Sequence, residues 1–139
     1  MGKQNMLPER KMLWVEDDPM MLDVLNLLFE AEGAKVFVAE NGAVAKEIVQ
    51  NHQIDIIVSD VQMPICDGVD LLKWIKERYE DIPMVFLSTG FADISDEAAL
   101  SLGAEAIIKK PFKAEKIIGC ISQSFEKLRK YKESLGHIA

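Results

Sequence analysis

Cysteine is scarce in this sequence, and signals for export or membrane insertion are missing. The 139 residues include two cysteines, Cys66 and Cys120, which are far apart and stand in no CxxC spacing. Two cysteines placed in this way support neither a disulfide framework nor a zinc site. Residues 1–11 are polar and lack the apolar region of a signal peptide, and no apolar run is long enough to cross a bilayer. We therefore expect a cytoplasmic protein with two reduced thiols and no membrane partner.

Positive charge is also in short supply. Sixteen Lys and Arg residues face 23 Asp and Glu residues, which leaves a net charge of −7 and a pI near 4.8. Nonspecific nucleic-acid binding relies on clustered basic residues, so a direct nucleic-acid partner is not expected. The length of 139 residues and an apolar content of 49% suit one compact domain with a real core.

Short apolar strands alternate with amphipathic helices along the chain. Runs rich in β-branched and apolar residues predict strands at 11–15, 35–39, 54–60, 84–87 and 106–108. Apolar residues at helical spacing predict four helices, at 19–33, at 43–50, around Leu71, Leu72 and Ile75, and at 93–102. A last helix is predicted with Ile118, Ile121, Phe125 and Leu128 on one face. Because parallel neighbours need crossover connections, this alternation predicts an α/β fold with a parallel sheet covered on both faces.

Polar side chains stand at the predicted carboxyl ends of four strands. Glu16 and Asp17 follow the first strand, Asp60 ends the third, Ser88 follows the fourth, and Lys110 follows the fifth. Open α/β sheets bind ligands in the crevice outside these ends, so the five side chains should converge there. Three carboxylates in one crevice repel one another unless a cation neutralises them. Mg²⁺ (or Mn²⁺) fits, with Asp17 and Asp60 as ligands.

A metal-shielded carboxylate in such a crevice can take part in group transfer. Asp60 can act as a nucleophile toward a phosphoryl donor and become an aspartyl phosphate. The phosphoryl oxygens would then meet the metal, the Lys110 ammonium, and the Ser88 hydroxyl with nearby backbone N–H groups. The residue types therefore predict a phosphoacceptor site centred on Asp60.

Four motifs carry a family resemblance. VEDDP, SDVQMPICDG, LSTG and KKPF occur in this order at predicted strand ends. Together they resemble the receiver domain of bacterial two-component response regulators, of the chemotaxis-regulator type. The resemblance covers about residues 11–130 and leaves a polar N-terminal extension, 1–10, and a C-terminal tail, 131–139. It implies a flavodoxin-like, doubly wound, five-stranded parallel sheet in the order 2-1-3-4-5 with five helices.

The resemblance also implies a role for each acidic residue. Glu16 and Asp17 are expected to form the acidic pair that holds the metal, and Asp60 is expected to be phosphorylated. The main-chain carbonyl of Gln62 is expected to complete the metal shell. Asp18 is a secondary candidate ligand, but a proline follows it, and this favours a helix N-cap.

Beyond the acids, the resemblance makes Ser88 the switch hydroxyl and places Lys110 before a cis Pro111. Ile107 departs from the family pattern, because many receivers have there a Tyr or Phe that swings inward when the hydroxyl moves. The departure concerns aromatic gating and not phosphorylation. Asp67-Gly68 is assigned to the turn and the start of the third helix.

Two other α/β classes are disfavoured by the first strand end. An aspartate-nucleophile phosphatase needs a DxDx[TV] pattern there, and an FMN carrier needs a hydroxyl-rich or Gly-rich phosphate cradle, whereas this chain has EDDP. A different alternative stays open, in which the chain is a receiver-like interaction module that is never phosphorylated. The presence of all five site residues favours the phosphorylated switch.

For such a switch, the family implies partners on both sides. The donor would be a sensor histidine kinase or a histidine phosphotransfer protein, and the output a downstream effector protein or a phosphorylation-dependent homodimer. The predicted readout surface is the fourth helix, fifth strand and fifth helix, because these elements flank Ser88 and Lys110. We expect no enzyme activity beyond self-phosphorylation from phosphodonors and slow autodephosphorylation.

Overall fold

Residues 10–90 and 94–136 are described by the computed structural model, and within them five strands alternate with five helices. The strands are β1 Lys11–Val15, β2 Lys35–Ala39, β3 Ile56–Asp60, β4 Met84–Thr89 and β5 Ala106–Lys109. The helices are α1 Pro19–Glu30, α2 Gly42–Asn51, α3 Gly68–Arg78, α4 Asp96–Ser101 and α5 Ala114–Gly136. The strands pair in parallel in the order β2-β1-β3-β4-β5. The predicted fold, strand order and helix number are confirmed.

Each face of the sheet carries its own apolar core, because successive strand residues point to opposite faces. One core joins α1 and α5 to the sheet, and its buried residues include Trp14, Phe29, Phe86 and Ile121. The other joins α2, α3 and α4 to the sheet, and its buried residues include Leu13, Ile57, Leu72 and Ala99. Fully burying one large apolar side chain contributes roughly 1.5–3 kcal/mol. With both faces covered, the strand ends are left as the place for a ligand site.

Four helices begin at a side-chain cap. Asp18, Asn41, Asp67 and Ser95 each accept a hydrogen bond from a backbone N–H of the following turn. These caps satisfy donors that have no partner within the helix, and each contributes about 1 kcal/mol. The predicted cap at Asp18, with a proline at the first helical position, is confirmed.

Two element boundaries on the first half of the chain differ from the prediction by two residues or more. Helix α1 ends at Glu30 rather than near residue 33, because the chain turns there and Gly33 takes a φ of 90°. Strand β3 begins at Ile56 rather than at residue 54. The carboxylate of Asp55 instead accepts a hydrogen bond from the Lys11 backbone N–H at 2.8 Å, which ties the entry of β3 to the start of β1.

The last two helices also differ from the prediction. Helix α4 is shorter than 93–102, because Ser95 caps a helix that starts at the next residue; residue 93 itself lies outside the described residues. Helix α5 continues to Gly136, so residues 131–136 of the predicted tail are helical. Within the described part of the chain, no helix is both long enough and apolar enough to span a membrane.

Candidate functional site

The parallel register brings the predicted site residues to one edge of the sheet. Glu16 and Asp17 directly follow β1, and Asp60 is the last residue of β3. Ser88, on β4, lies directly beside Asp60 in the strand register. Lys110 directly follows β5, and its backbone N–H donates to the carbonyl of Thr89 at 2.9 Å. Four separate chain segments therefore meet at the crevice that the sequence predicts.

Three carboxylates form a cluster of oxygen donors in this crevice. One carboxylate oxygen from each of Glu16, Asp17 and Asp60 lies within 4.8 Å of the other two. Glu16 is buried and Asp17 is exposed, so the cluster opens to solvent on one side. An all-oxygen set with an open side suits Mg²⁺, which takes one or two carboxylates and keeps several waters. The residues present therefore fit the predicted ion.

The two other predicted metal ligands are not among these three carboxylates. Asp18 uses its carboxylate as the cap of α1, accepting from the Met20 backbone N–H at 3.0 Å. Its predicted capping role is thereby accounted for, and its metal role stays a prediction. Gln62 is exposed two residues after Asp60, and the contribution of its main-chain carbonyl also stays a prediction.

Lys110 is the cation that balances the carboxylates. Its Nζ lies 2.7 Å from Asp60 Oδ1 and 3.4 Å from Glu16 Oε1. Burial lowers the pKa of Lys110, but the hydrogen bonds and charges of Asp60 and Glu16 outweigh it and hold the pKa above its ordinary value. The peptide bond between Lys110 and Pro111 is cis, as predicted. Lys110 is therefore a fixed ammonium in contact with the expected acceptor.

Glu16 is partly protonated at neutral pH in the metal-free crevice. Burial, followed by the hydrogen bond and negative charge of Asp60, raises the pKa of Glu16 to about 7, although Lys110 acts in the opposite direction. Two carboxylates whose oxygen atoms lie within 4.8 Å of each other share a proton more readily than they both ionise. A cation bound to the cluster would displace that proton.

The raised pKa of Glu16 predicts a pH-dependent effect of Glu16→Gln on stability. The folded pKa of about 7 exceeds the ordinary 4.5, so the folded state binds more protons between these values. The contribution of the Glu16 carboxyl to folding stability is fully present below pH 4.5 and is lost as the pH rises through 7. We expect Glu16→Gln to stabilise the metal-free protein by at least about 1 kcal/mol more at pH 8 than at pH 5. Thermal unfolding in EDTA measures this, and an equal difference at both pH values would contradict it.

Ser88 has a buried hydroxyl that lacks a partner in this state of the protein. Its residue is 3% exposed, and within the described residues its Oγ is a buried side-chain atom with no hydrogen-bond partner. Leaving such a group unsatisfied costs about 1–3 kcal/mol. One small cavity is lined by Ser88, Asp60, Lys110 and Trp14. An oxygen-rich group on Asp60 would give the hydroxyl its missing partner.

Gly68 is a site residue that the sequence identified only as part of a turn. Its backbone N–H donates to the Val61 carbonyl at 2.9 Å, which sets the first turn of α3 directly against the end of β3. A Cβ at this position would lie 2.2 Å from the carbonyl oxygen of Asp60. The absence of a side chain at Gly68 therefore lets α3 begin directly against the main chain of Asp60, the predicted acceptor. The Asp-Gly pair signals a turn, but no local signal indicates which atom the glycine faces.

Ile107 occupies the position at which the family pattern has an aromatic ring. Its side chain is half-buried against the core that α2, α3 and α4 share. It also lines a hollow beside Thr89, Ile94 and Lys109, next to the crevice. A branched aliphatic side chain in this place keeps the core contact without the reach of a ring.

Known proteins share both the sequence pattern and the fold. Residues 12–122 match the response regulator receiver domain family. Response regulator SaeR of Staphylococcus aureus is 33% identical over 120 residues, covering 86% of this chain and 52% of SaeR, so the chain spans about half of that relative. A CheY-like receiver domain protein from Methanospirillum hungatei is 25% identical with a TM-score of 0.79, covering 88% of this chain and 98% of its own. The chain belongs to the response regulator receiver domain family, as its strand-end motifs indicate.

Proposed function

We propose that this chain is a phosphorylation-dependent switch in which Asp60 accepts a phosphoryl group from a phosphohistidine. Receiver domains act in phosphorelay signalling, where response regulators pair with histidine kinases and effectors. One observation carries the proposal for this chain: Asp60 contacts Lys110 at 2.7 Å, belongs to the carboxylate cluster, and lies beside the unpartnered hydroxyl of Ser88. This arrangement provides an acceptor, a cation and a vacant hydrogen-bonding group together.

Metal binding is the first part of the proposal. Receiver domains generally bind Mg²⁺ at an acidic pocket, and Glu16, Asp17 and Asp60, with the Gln62 carbonyl, would hold Mg²⁺ (or Mn²⁺) here. When bound, the ion neutralises the acids and stabilises negative charge on a transferring phosphoryl group. The positive charge of such an ion would favour the ionised form of Glu16, whose pKa is raised by burial and by Asp60 in the absence of the ion.

Transfer is the second part. A carboxylate oxygen of Asp60 forms a bond to phosphorus as the bond from phosphorus to the histidine nitrogen breaks, and that nitrogen keeps the electron pair. The Lys110 ammonium can donate to one phosphoryl oxygen, since its Nζ already lies at the carboxylate. The Ser88 hydroxyl, on the neighbouring strand, can donate to another. Movement of Ser88 would pass the change to α4, β5 and α5 and thus to an effector or a second copy.

The remaining expectations belong to this proposal as well. The chain would catalyse only its own phosphorylation from phosphodonors and its slow dephosphorylation, and it would act in the cytoplasm. The unphosphorylated interaction module is the second candidate, favoured by Ile107 in place of an aromatic residue. Such a module would have no use for Lys110 and Ser88 beside Asp60.

Metal-dependent adduct formation tests the proposed function. Acetyl phosphate and beryllofluoride are added with and without Mg²⁺. The protein is then monitored by intact mass and by Trp14 fluorescence, the latter in a Trp74→Phe background. Trp14 reports on the site because it lines the same small cavity as Asp60, Ser88 and Lys110. We expect a phosphoryl adduct and a fluorescence change that both require Mg²⁺ and are lost in Asp17→Asn. No response at saturating reagent would favour the interaction module.

Lys110→Ala tests the coupling between the site and the readout surface. The variant removes the contacts at 2.7 Å and 3.4 Å but leaves both apolar cores intact, so it should fold. We expect beryllofluoride to protect α4 and β5 from hydrogen exchange in the wild type, and at least half of that protection to be lost in Lys110→Ala. Equal protection in both proteins would show that Lys110 has no coupling role.

A further inference from the structure

Trp14 is a large buried side chain close to the carboxylate crevice. It is the fourth residue of β1, it is 3% exposed, and it belongs to the core that α1 and α5 share. Its indole N–H donates to the sulfur of Met12 at 2.9 Å. A thioether sulfur is only a weak acceptor. Hydrogen bonding therefore does not explain why this core position holds a tryptophan, and the contacts of its ring are the better explanation.

Two aromatic rings from different parts of the chain pack against Trp14. The ring centre of Phe29, on α1, lies 5.2 Å away, with 53° between the ring planes. The ring centre of Phe112, in the segment between β5 and α5, lies 6.3 Å away, with 29° between the ring planes. Both distances fall in the range at which aromatic pairs attract one another. Trp14 therefore links α1 to the segment that follows Lys110.

Phe112 is separated from Lys110 by a single proline. On one side, the backbone of Lys110 is fixed by its N–H, which donates to the Thr89 carbonyl at 2.9 Å. On the other side, Pro111 has a restricted φ and allows little movement between Lys110 and Phe112. Contact with Trp14 holds Phe112 in place. The stacked rings therefore fix the chain on the second side of Lys110.

The side chain of Lys110 is confined by the same rings. One cavity of about 10 Å³ is lined by Trp14 and Phe112 together with Lys110, Asp60 and Ser88. A cavity needs at least about 10–15 Å³ to hold a water, so hardly any free space remains beside the lysine. A lysine stem is flexible and occupies the space that packing leaves to it. Loss of the indole would let the ammonium leave its position 2.7 Å from Asp60 Oδ1.

We propose that Trp14 is a positioning residue for phosphoryl transfer, which acts through Phe112 to hold the Lys110 ammonium against the carboxylate of Asp60. The inference rests on the proposed function. It adds to the site a residue that touches neither the phosphoryl group nor the metal. A ring is required at position 14, because an aliphatic side chain can fill the core but cannot stack on Phe112.

Phosphorylation by acetyl phosphate at saturating Mg²⁺, measured by intact mass, tests the positioning role. We expect Trp14→Leu and Phe112→Leu each to lower the rate at least about fivefold, and Trp14→Phe, which keeps a ring, to stay within about twofold. Phe112 is half-buried, so Phe112→Leu should fold even if leucine is not tolerated at the buried position 14.

Phe29→Leu is the matched control for these variants. Phe29 is fully buried in the same core and also packs against Trp14, but it is not among the residues that line the cavity beside Lys110. Phe29→Leu should lose stability in urea denaturation and still be phosphorylated within about twofold of the wild-type rate.

Mg²⁺ affinity separates a positioning role from a general loss of structure. The carboxylate cluster would hold the ion, whereas the Lys110 ammonium, 3.4 Å from Glu16 Oε1, would repel it. If Trp14→Leu only releases Lys110, its affinity for Mg²⁺ should equal or exceed that of the wild type. A distorted end of β1 would instead move the carboxylates apart and lower the affinity. Isothermal titration calorimetry with MgCl₂ distinguishes the two.

A double-mutant comparison identifies Lys110 as the residue through which Trp14 acts. Lys110→Ala should itself slow phosphorylation at least about tenfold, because one phosphoryl oxygen loses its cation. In that background, adding Trp14→Leu should change the rate less than about twofold, since no ammonium remains to be positioned. A residue that supported the crevice only by packing would lower the rate by the same factor in both backgrounds.

Four outcomes would overturn the positioning role. These are wild-type rates in both Trp14→Leu and Phe112→Leu, a loss in Trp14→Leu that persists in full in the Lys110→Ala background, a lowered Mg²⁺ affinity that accounts for slower phosphorylation, and an equal loss of rate in Phe29→Leu. If acetyl phosphate fails to modify the wild type at saturating Mg²⁺, the proposed function itself fails, and the positioning role fails with it.

Discussion

Asp60→Asn is expected to abolish phosphorylation by acetyl phosphate and to leave no fluorescence response to beryllofluoride. An amide nitrogen and its partner oxygen are poor nucleophiles compared with a carboxylate, so the acceptor is lost while the shape is kept. The variant also removes the negative charge that faces Lys110 at 2.7 Å and that helps to raise the pKa of Glu16. We expect phosphorylation to fall at least a thousandfold, as measured by intact mass.

A control for this variant lies on the same stretch of chain. Asp55 precedes β3 at the opposite edge of the sheet, where its carboxylate accepts from the Lys11 N–H at 2.8 Å. Asp55→Asn keeps an accepting oxygen and should be phosphorylated at the wild-type rate. An adduct that persists in Asp60→Asn and maps to another residue would refute Asp60 as the acceptor.

Gly68→Ala is expected to destabilise the protein more than alanine at Gly42 or Gly103, where an added Cβ would also lie within 3.0 Å of another atom. The new Cβ would lie 2.2 Å from the Asp60 carbonyl oxygen and 3.0 Å from the Val61 Cα, and both are backbone atoms that cannot move aside alone. Overpacking of this kind costs typically 1–3 kcal/mol and occasionally more. We expect a loss of about 3 kcal/mol in the free energy of unfolding, measured by urea denaturation.

Gly119→Ala is the matched control for Gly68→Ala. Gly119 lies within α5, and a Cβ there would meet nothing within 4 Å. Alanine stabilises a helix interior relative to glycine, so this variant should gain about 0.5–1 kcal/mol. If the two substitutions changed stability equally, contact with Asp60 could not be the reason for glycine at position 68. Slower phosphorylation of residual folded Gly68→Ala would further show that the glycine positions the acceptor.

Local patterns were enough to predict the elements and which polar side chains stand at the strand ends. A cap followed by proline predicts the start of α1 at Asp18 because both signals act within one turn. A near-continuous apolar run that ends in Asp60 predicts a doubly covered strand, because only a buried strand needs apolar residues on both faces. The strand ends of a parallel sheet share one edge, so the convergence of Glu16, Asp60 and Lys110 also follows from sequence.

Element ends were less predictable, because individual side-chain contacts decide them, and apolar periodicity does not show those contacts. Asp55 has the apolar neighbours of a strand residue, but its carboxylate binds Lys11, and β3 starts one residue later. Helix α5 continues beyond residue 130, where side chains of Arg129, Glu126 and Glu133 form ion pairs along the helix. Exposed pairs of this kind add only a few tenths of a kcal/mol each, which composition alone does not reveal.

The sequence by itself determined the fold class, the order of elements along the chain, and which side chains stand at the strand ends, because each depends on local periodicity and turn chemistry. Tertiary structure alone decided that Lys110 contacts both Asp60 and Glu16, that Ser88 keeps a buried hydroxyl without a partner, and that Trp14 packs against Phe112. These properties depend on distances between segments and on the water that packing excludes. Both quantities arise only when the whole sheet has assembled.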